Sequence, residues 1–302
     1  MDYQEFLEEV RSEAERQLGK SCRAAIHRVV KNNAVSMEGL VVAEEERNVS
    51  PTIYLEPFYE KFMQGEPFDA LMEEILKVYR ESRLEEDVDI SFFTDYEQAR
   101  ELLFCKLVNY RSNEKLLALV PHKRFLDLAI VPYCLLKNSE VGSVSILVHH
   151  SHVIMWEREE ADLMREAEKN TREAMGFEIT TLKEVVEELY GSESDSIEAE
   201  DEIEMYVLSN KYKLNGAVCM SYEDVLIAFS EHVESDLYIL PSSVHEVLLV
   251  PASCTHSLDR LSEMVREVNT AQIEREDILS DHAYLYRKNG GFEKADTFVT
   301  NL

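Results

Sequence analysis

Residues 125–136 read FLDLAIVPYCLL, an almost continuous apolar run that only Asp127 and Pro132 interrupt. A strand without alternating polar positions is typical of a sheet that is covered on both faces. Two further runs of β-branched, aromatic and aliphatic residues, 102–110 and 144–149, lie before and after it. The middle of the chain is therefore predicted to contribute three strands, the second of them buried on both sides.

Amphipathic helices are predicted on either side of this β-rich region. Over residues 2–18, 67–83 and 258–268, apolar side chains recur at spacings of three and four, as on one face of a helix. Residues 25–43 predict a hairpin that turns at two asparagines, and 51–55 a short edge strand. Strand–helix–strand alternation does not recur, which favours an α+β fold with mostly antiparallel sheets and flanking amphipathic helices.

The last third of the chain continues this mixture of helices and strands. Thr181 and Glu184 have the spacing of a capping box, which predicts the start of a helix. Beyond it the pattern predicts, in chain order, strands over 205–208 and 217–220, a helix opening at Ser221-x-x-Asp224, a hairpin over 237–250, a helix over 258–268 and a closing hairpin around 289–291.

A domain boundary is predicted at the most acidic segment, residues 193–204. Seven of its twelve residues are acidic, none is basic, and no apolar period is visible. Charge runs of this kind are typical of linkers and interaction tails. We therefore predict an N-terminal α+β lobe over 1–192 and a C-terminal α+β lobe over 205–302, with a single contiguous domain as the alternative.

Composition narrows the class of protein. The chain has 302 residues, a formal net charge of −29 and 45% hydrophobic residues, a share typical of a folded protein. The negative charge repels a phosphate backbone, so direct nucleic-acid binding is not expected. The longest apolar run is shorter than the ~20 residues of a membrane helix, and the first residues lack the basic and then apolar pattern of a secretory signal. Neither membrane insertion nor secretion is expected.

The five cysteines predict a reducing, cytoplasmic location. Their number is odd, they are widely spaced, and no CxxC pair occurs, so a disulfide framework is not expected. Cys105, Cys134, Cys219 and Cys254 have apolar sequence neighbours and are interpreted as small core hydrophobes. Burial of Cys134 and Cys219 in strands would make their thiols poor nucleophiles.

His149, His150 and His152 form the one local histidine cluster and are the candidate metal ligands. On a strand, His150 and His152 would face the same side, and histidine is a common metal ligand. A divalent metal needs at least one more ligand, and no HExxH-type spacing is present. The other interpretation is a strand end whose polar side chains lead into a turn at Trp156.

Ser243, His245 and Glu246 supply the three residue types of a hydrolase triad and are the candidate catalytic residues. A catalytic base must reach its nucleophile through a fixed hydrogen bond while a third group orients it, and residues so close on a hairpin turn rarely do so. No GxSxG elbow is present. The other interpretation is a turn in which serine hydroxyls bond local backbone groups.

Phosphate-binding loops are not expected, because neither GxxxxGK[ST] nor GxGxxG occurs among only nine glycines. The densest basic region comprises Lys106, Arg111, Lys115 and residues 122–124. This region has the charge to receive a carboxylate or phosphate, although ion pairs within the chain are the commoner use of such residues.

Several strings together resemble one family. They are residues 48–55 (NVSPTIYL), 125–131 (FLDLAIV), 240–247 (LPSSVHEV), 267–269 (EVN) and 279–282 (LSDH). The family is an uncharacterised group with a domain of unknown function from gut Firmicutes of the clostridial type, and the resemblance spans nearly the whole chain. It implies a bacterial, cytoplasmic protein and assigns no activity or site residue.

The sequence therefore favours a non-enzymatic, acidic protein-binding module whose partner is a protein with a basic surface, and it predicts no cofactor. Two alternatives remain open. One is a metal-dependent or Ser/His hydrolase that uses the 149–152 and His245 regions. The other is a nucleic-acid mimic, since rows of carboxylates can imitate the charge spacing of a duplex.

Overall fold

The fold was obtained as a computed structural model of the full chain. The parts that the structure describes are residues 1–19, 22–44, 50–82, 93–138, 142–190, 204–241, 243–254 and 258–293. Within them, no helix is long and apolar enough to cross a membrane.

Internal contacts divide the chain into two compact units. Unit 1 comprises Met1–Thr94 with Leu136–Val144, and unit 2 comprises Asp95–Leu135 with Ser145–Leu302. This division does not coincide with the predicted boundary at 193–204. Of that segment only Glu204 lies in the described residues, so its role as a linker stays a prediction.

Unit 1 contains a three-stranded sheet in the order β1-β2-β3. All its pairings are antiparallel, and the β1–β2 hairpin is in register from Cys22 opposite Glu44 to Val30 opposite Ser36. The predicted hairpin, edge strand and two helices are confirmed. The elements are α1 (Tyr3–Leu18), β1 (Cys22–Val30), β2 (Ser36–Glu44), β3 (Thr52–Tyr54), α2 (Glu56–Met63) and α3 (Phe68–Ser82).

One apolar core fills unit 1, because α1 and α3 each bury the face that their periodicity marks. Phe6 on α1, Leu40 on β2 and Leu71 on α3 are all completely buried in it. Gly39 on β2 allows the close approach of β3, since a Cβ there would lie 2.3 Å from the Thr52 side chain.

Unit 2 contains two sheets, one of four strands (β4-β6-β5, with β7 also on β6) and one of five (β12-β10-β11-β9-β8), except that residues 136–138 and 142–144 of the four-stranded sheet are assigned to unit 1. Its elements are α4 (Tyr96–Ala99), β4 (Leu103–Asn109), α5 (Glu114–Leu117), β5 (Lys123–Phe125), β6 (Leu128–Asn138), β7 (Gly142–Leu147), α6 (His150–Met155), α7 (Glu160–Asn170), β8 (Glu178–Thr181), α8 (Leu182–Tyr190), β9 (Tyr206–Ser209), α9 (Glu223–His232), β10 (Leu237–Leu240), β11 (Val247–Pro251), α10 (Leu258–Ala271) and β12 (Tyr284–Tyr286).

The apolar run at 125–136 forms two strands instead of the single one that was predicted. The chain turns at Leu126 and Asp127, where Leu126 adopts a φ of 57°, and β5 pairs back on β6 with Phe125 opposite Leu128. Residues 128–135 of β6 are all buried, which agrees with the prediction that this strand is covered on both faces.

The five-stranded sheet is antiparallel throughout. The predicted 237–250 hairpin forms as β10 and β11, with Leu240 opposite Leu248. Helix α10 packs Leu261 and Val265 on this sheet against Leu240. Both sheets of unit 2 and the sheet of unit 1 thus fit an α+β fold, and that prediction is confirmed.

The strand predicted at 217–220 and the predicted first residue of the following helix are wrong, although that helix forms as α9. Residues 217–220 form part of a 3₁₀ helix, Gly216–Ser221, instead of a strand, because the left-handed Asn215 before it redirects the backbone. The following helix α9 begins after Tyr222 without a side-chain cap, and the Ser221 hydroxyl donates to the Val218 carbonyl instead. The Thr181–Glu184 capping box is present, with both reciprocal hydrogen bonds.

Candidate functional site

The three histidines of the 149–152 segment open a helix, so the strand expected there is wrong. The His152 ring Nδ1 accepts the His149 amide at 3.0 Å, and the His149 ring accepts the His152 amide in return. The pair therefore caps α6 as serine and glutamate do in an ordinary capping box. Burial, and then the neighbouring His149, lower the pKa of His152, which keeps its ring neutral and able to accept.

His150 contacts a carboxylate rather than its histidine neighbours. Its Nδ1 lies 2.6 Å from the Glu160 side chain at the start of α7. In the parts of the chain that the structure describes, no three His, Cys, Asp or Glu residues are grouped so as to hold a metal ion. Metal binding by this segment stays a hypothesis, and the geometry assigns the rings a capping and pairing role.

An exposed apolar surface surrounds α6. Ile154 is 76% exposed and Met155 47%. Leu119, 55% exposed, adjoins the first residue of α6, since its carbonyl accepts the His150 amide at 3.0 Å. We call Leu119, Ile154 and Met155 the α6 surface. Large apolar side chains grouped in the open are typical of an interaction site.

Carboxylates follow directly on the α6 surface. Glu157 and Glu159 are exposed, and neither forms an ion pair with a described residue. The one base between them, Arg158, donates to Glu97 at 3.0 Å and lies over the Tyr96 ring. The exposed charge next to the apolar side chains is therefore negative.

The Ser243–Glu246 loop is held rigidly by backbone and side-chain hydrogen bonds. The Ser209 hydroxyl donates to the His245 carbonyl at 2.8 Å, and the His245 amide donates to the Ser243 hydroxyl at 3.0 Å. A Cβ on Gly216 would lie 2.6 Å from the His245 carbonyl and 2.1 Å from the Ser209 hydroxyl, so only glycine fits there. The loop is thus fixed at one position against the 209–217 segment.

The His245 ring does not use Ser243 as its partner. Its Nδ1 accepts the Asn215 amide at 3.2 Å, and its Nε2 lies 3.7 Å from an Asp277 carboxylate oxygen. Because the Ser243 hydroxyl binds backbone, the geometry does not activate it as a nucleophile. Glu246 is half-buried beside Lys213 and is no orienting group for the ring.

Two further residues adjoin this pair. The Lys106 ammonium on β4 lies 5.8 Å from the centre of the Tyr133 ring on β6, and the Asp277 and Glu276 carboxylates act on it electrostatically. The Tyr133 hydroxyl is buried, and no described residue lies within hydrogen-bond distance of it in good geometry. We call five residues from five segments of unit 2 the Lys106 cluster: Lys106, Tyr133, Asn215, His245 and Asp277.

The electrostatics of the Lys106 cluster are those of a desolvated site. Burial lowers the pKa of Lys106, against the opposing effect of Asp277 and Glu276. Burial likewise raises the pKa of Tyr133 to about 12, although Asn215 opposes the shift. Lys106 makes no ion pair or hydrogen bond within the described part of the chain.

Sequence reasoning found only part of this cluster. Lys106 belongs to the basic region and His245 to the candidate triad, but Tyr133, Asn215 and Asp277 gave no signal. These residues are separated by tens of positions, and no motif marks the strands or turns on which they lie. The pairing of Ser243 with Ile278, together with the hydrogen bond from the Val244 amide to the Asp277 carbonyl at 2.8 Å, brings Asp277 to the His245 loop.

The cysteines do not contribute to a site. All five are free, and Cys105, Cys134 and Cys219 are buried as predicted. Burial raises the pKa of Cys134 and of Cys219 to about 12, so both thiols stay protonated. Cys254 is exposed, which corrects its assignment to the core and follows from its position in a turn after β11.

A second polar network, around Asp127, is structural in character. Tyr284 donates to its Oδ1 at 2.5 Å, Ser280 donates to its Oδ2 at 3.3 Å, and the His282 Nε2 lies 3.6 Å from the same oxygen. The Ser280 hydroxyl also contacts His282 Nδ1 at 3.3 Å, but Ser280 is only 1% exposed. Because Ser280 is buried, its hydroxyl has no access to a substrate and does not act as a nucleophile. Its hydrogen bond to Asp127 joins the β5–β6 turn to the 280–284 segment.

Comparison with known proteins gives one match. No curated protein and no solved structure matches the chain significantly. A family described as a family of unknown function (DUF5688) matches residues 3–288. Since the match covers nearly the full length and both units, the chain belongs to this family of unknown function.

Proposed function

We propose that the protein is a non-enzymatic binding module that docks a basic, amphipathic segment of a protein partner on the α6 surface. The observation that supports this proposal is the exposure of large apolar side chains on α6, Ile154 and Met155, followed directly in the chain by the exposed carboxylates of Glu157 and Glu159. Interfaces of this type place apolar anchors at the centre and charges at the rim.

The apolar side chains supply the affinity. Full burial of an isoleucine or methionine side chain contributes about 1.5–3 kcal/mol. Ile154, the most exposed of the three, has the most surface to lose to a partner. It is therefore the expected anchor of the interface.

The charges supply selectivity and a fast encounter. The protein carries a net charge of −29, and several of the described bases form ion pairs within the chain, for example Arg100 with Glu97 and Lys123 with Glu168. Carboxylates such as Glu157 and Glu159 keep their charge for a partner. Opposite charges steer association and are screened beyond about 10 Å at 0.1 M salt.

The test uses a fluorescein-labelled synthetic helix of leucine and lysine as the probe, with anisotropy as the readout. We expect Ile154→Ser to weaken binding about tenfold, which corresponds to ~1.4 kcal/mol. We expect Glu157→Gln with Glu159→Gln to weaken binding at low salt and to reduce its salt dependence.

Met63→Ser is the matched control, because Met63 is 66% exposed on α2 of unit 1 and far in sequence from α6. It should leave binding unchanged. Equal affinities for Ile154→Ser, Met63→Ser and the unmodified protein would refute the docking role of the α6 surface. In a lysate, the native partner is the protein that Ile154→Ser loses and Met63→Ser retains.

The hydrolase alternative has one supporting observation, the His245–Asp277 contact at 3.7 Å. A fluorophosphonate probe tests it. Labelling of Ser243 that disappears in His245→Asn would establish a serine hydrolase and displace the binding module.

The metal-dependent form of that alternative and the nucleic-acid mimic stay hypotheses. Zinc titration with His150→Asn as the variant tests the first. Competition with duplex DNA for a DNA-binding protein tests the second. A cytoplasmic location in a bacterium is part of the proposal, supported by five free cysteines.

A further inference from the structure

We propose that the outer edge of β1 in unit 1 binds an extended, acidic segment of a partner protein, which adds to the three-stranded sheet as a further strand. This interaction lies beyond the proposed function, because it uses β1 and does not require the α6 surface. It rests on backbone groups and basic side chains that lack partners along one strand.

The first observation is that β1 is a long edge strand. In the sheet order β1-β2-β3 its described neighbour is β2, and the register between them is unbroken from Cys22 to Val30. Many native edge strands are protected by a proline or by a bulge, and the nine residues of β1 contain neither. Such an edge is a template on which another chain can pair as a strand.

Two hydrogen bonds establish which backbone groups of β1 point outward. The Ala24 amide donates to the Glu15 carboxylate of α1 at 3.2 Å, so it points away from β2. The Lys31 amide, an odd number of positions further on, donates across the hairpin to the Val35 carbonyl at 2.8 Å. The direction of these groups alternates along a strand. The outward amides and carbonyls that make no hydrogen bond in the described part of the chain are therefore those of Ile26, Arg28 and Val30.

The charge of β1 favours an acidic partner. The strand carries Arg23, His27 and Arg28 and no acidic residue, in a protein whose net charge is −29. Arg28 pairs with Glu38 of β2 at 2.8 Å, whereas Arg23 and His27 are exposed and form no ion pair or hydrogen bond with a described residue. Pairing with a second copy of β1 would bring like charges together, which destabilises a strand pair. The carboxylates of an acidic strand would instead meet bases that lack a partner.

The two faces of β1 define the pattern of the incoming strand. Ala24 and Ile26 pack on the core of unit 1, and Val30, which is 60% exposed, lies on the same face. Arg23 and His27 lie on the other face. Residues directly opposite each other in an antiparallel pair have their side chains on the same face. The matching segment therefore alternates apolar residues, beside Ile26 and Val30, with acidic residues, beside His27.

The test measures binding of the full chain to a fluorescein-labelled peptide of alternating valine and glutamate, with the length of β1, by fluorescence anisotropy. A peptide with glutamine in place of glutamate should bind at least about tenfold more weakly at low salt. Equal binding of the two peptides would overturn the preference for an acidic segment.

Two N-methylated peptides test strand addition itself, without any change to the protein. One is methylated at every valine nitrogen and the other at every glutamate nitrogen. Because alternate amides of a strand point to opposite sides, only one of the two peptides can pair with β1. For antiparallel pairing we expect the N-methylvaline peptide to lose binding, and equal affinities of both peptides would show that no strand is added.

Variants of the protein locate the binding edge. Val30→Pro removes one outward amide at an edge position where proline is tolerated, and should weaken binding about fivefold, whereas the control Val30→Thr keeps the amide and should bind as wild type. Arg23→Gln should weaken binding at low salt, and the control Arg80→Gln, an exposed arginine of α3, should not. Equal affinities of Val30→Pro and Val30→Thr would refute the role of β1.

Two further results separate this proposal from its competitors. Ile154→Ser should bind the acidic peptide as wild type, and a loss of binding there would assign the peptide to the α6 surface. The protein alone should sediment as a monomer, and a dimer that Val30→Pro abolishes would assign the β1 edge to a second copy of the chain.

Discussion

Replacing Asp127 by alanine is expected to destabilise unit 2 by about 2–5 kcal/mol. Its carboxylate accepts hydrogen bonds from Tyr284 at 2.5 Å and from Ser280 at 3.3 Å. These two residues are 3% and 1% exposed, so Asp127→Ala removes the acceptor from two buried hydroxyls. Each buried donor deprived of its acceptor costs about 1–3 kcal/mol.

The pH dependence of this effect follows from the direction of the Asp127 pKa. Burial alone would raise that pKa, but the nearby His282 ring, 3.6 Å away, and the hydrogen bond from Tyr284 outweigh it and hold the pKa below its usual range. The stability that the charged form contributes is therefore complete above the unfolded-state pKa of about 3.9 and is lost as the pH falls through the lower folded-state value. The difference between wild type and Asp127→Asn should be constant from pH 5 to 8 and shrink below about pH 4.

The assay is urea denaturation followed by tryptophan fluorescence. The chain has one tryptophan, and Trp156 is buried in unit 2, so its emission reports on this unit alone. In a double-mutant cycle, Asp127→Ala and Tyr284→Phe should show a coupling energy of about 1–3 kcal/mol. Glu263→Gln, an exposed change on α10, is the control and should stay within about 0.5 kcal/mol of wild type. Additive effects of the two substitutions would refute the Asp127 network.

Three further predictions concern unit 2. Gly216→Ala should lower the free energy of unfolding, measured by urea denaturation, by more than about 2 kcal/mol, because the new Cβ would overlap the Ser209–His245 hydrogen bond. In the control Gly291→Ala the new Cβ meets no atom within 4 Å. The control should lose only about 1 kcal/mol, because of the φ of +101° at that position. Thr181→Ala should destabilise α8 by about 1 kcal/mol through loss of the capping box, seen as faster amide hydrogen exchange in α8 with α10 unchanged. Iodoacetamide should alkylate exposed Cys254 in the native protein before the buried cysteines, and equal modification of Cys134 would contradict the assigned burial.

Local pattern accounts for much of the fold that was predicted. Helices α1, α3 and α10 and the β1–β2 and β10–β11 hairpins follow from periodicity and turn residues, which are properties of neighbouring positions. The α+β class follows from the order of these elements. The errors lie where backbone conformation departs from side-chain pattern, as at the left-handed Leu126 and Asn215, since β-branched and apolar residues there favour strands in isolation.

The candidate sites divide in the same way. His149 and His152 are near neighbours in the sequence. The helix that they cap was not predicted, because the pattern of this segment also fits a strand. The Lys106 cluster could not be predicted, because its members lie on strands and loops, some of them more than 100 residues apart in the sequence. The amino-acid sequence by itself determined the charge, the helices and the hairpins of this protein. Only the tertiary structure decided which polar side chains lose their water and share one site, because desolvation depends on what the rest of the chain packs against them.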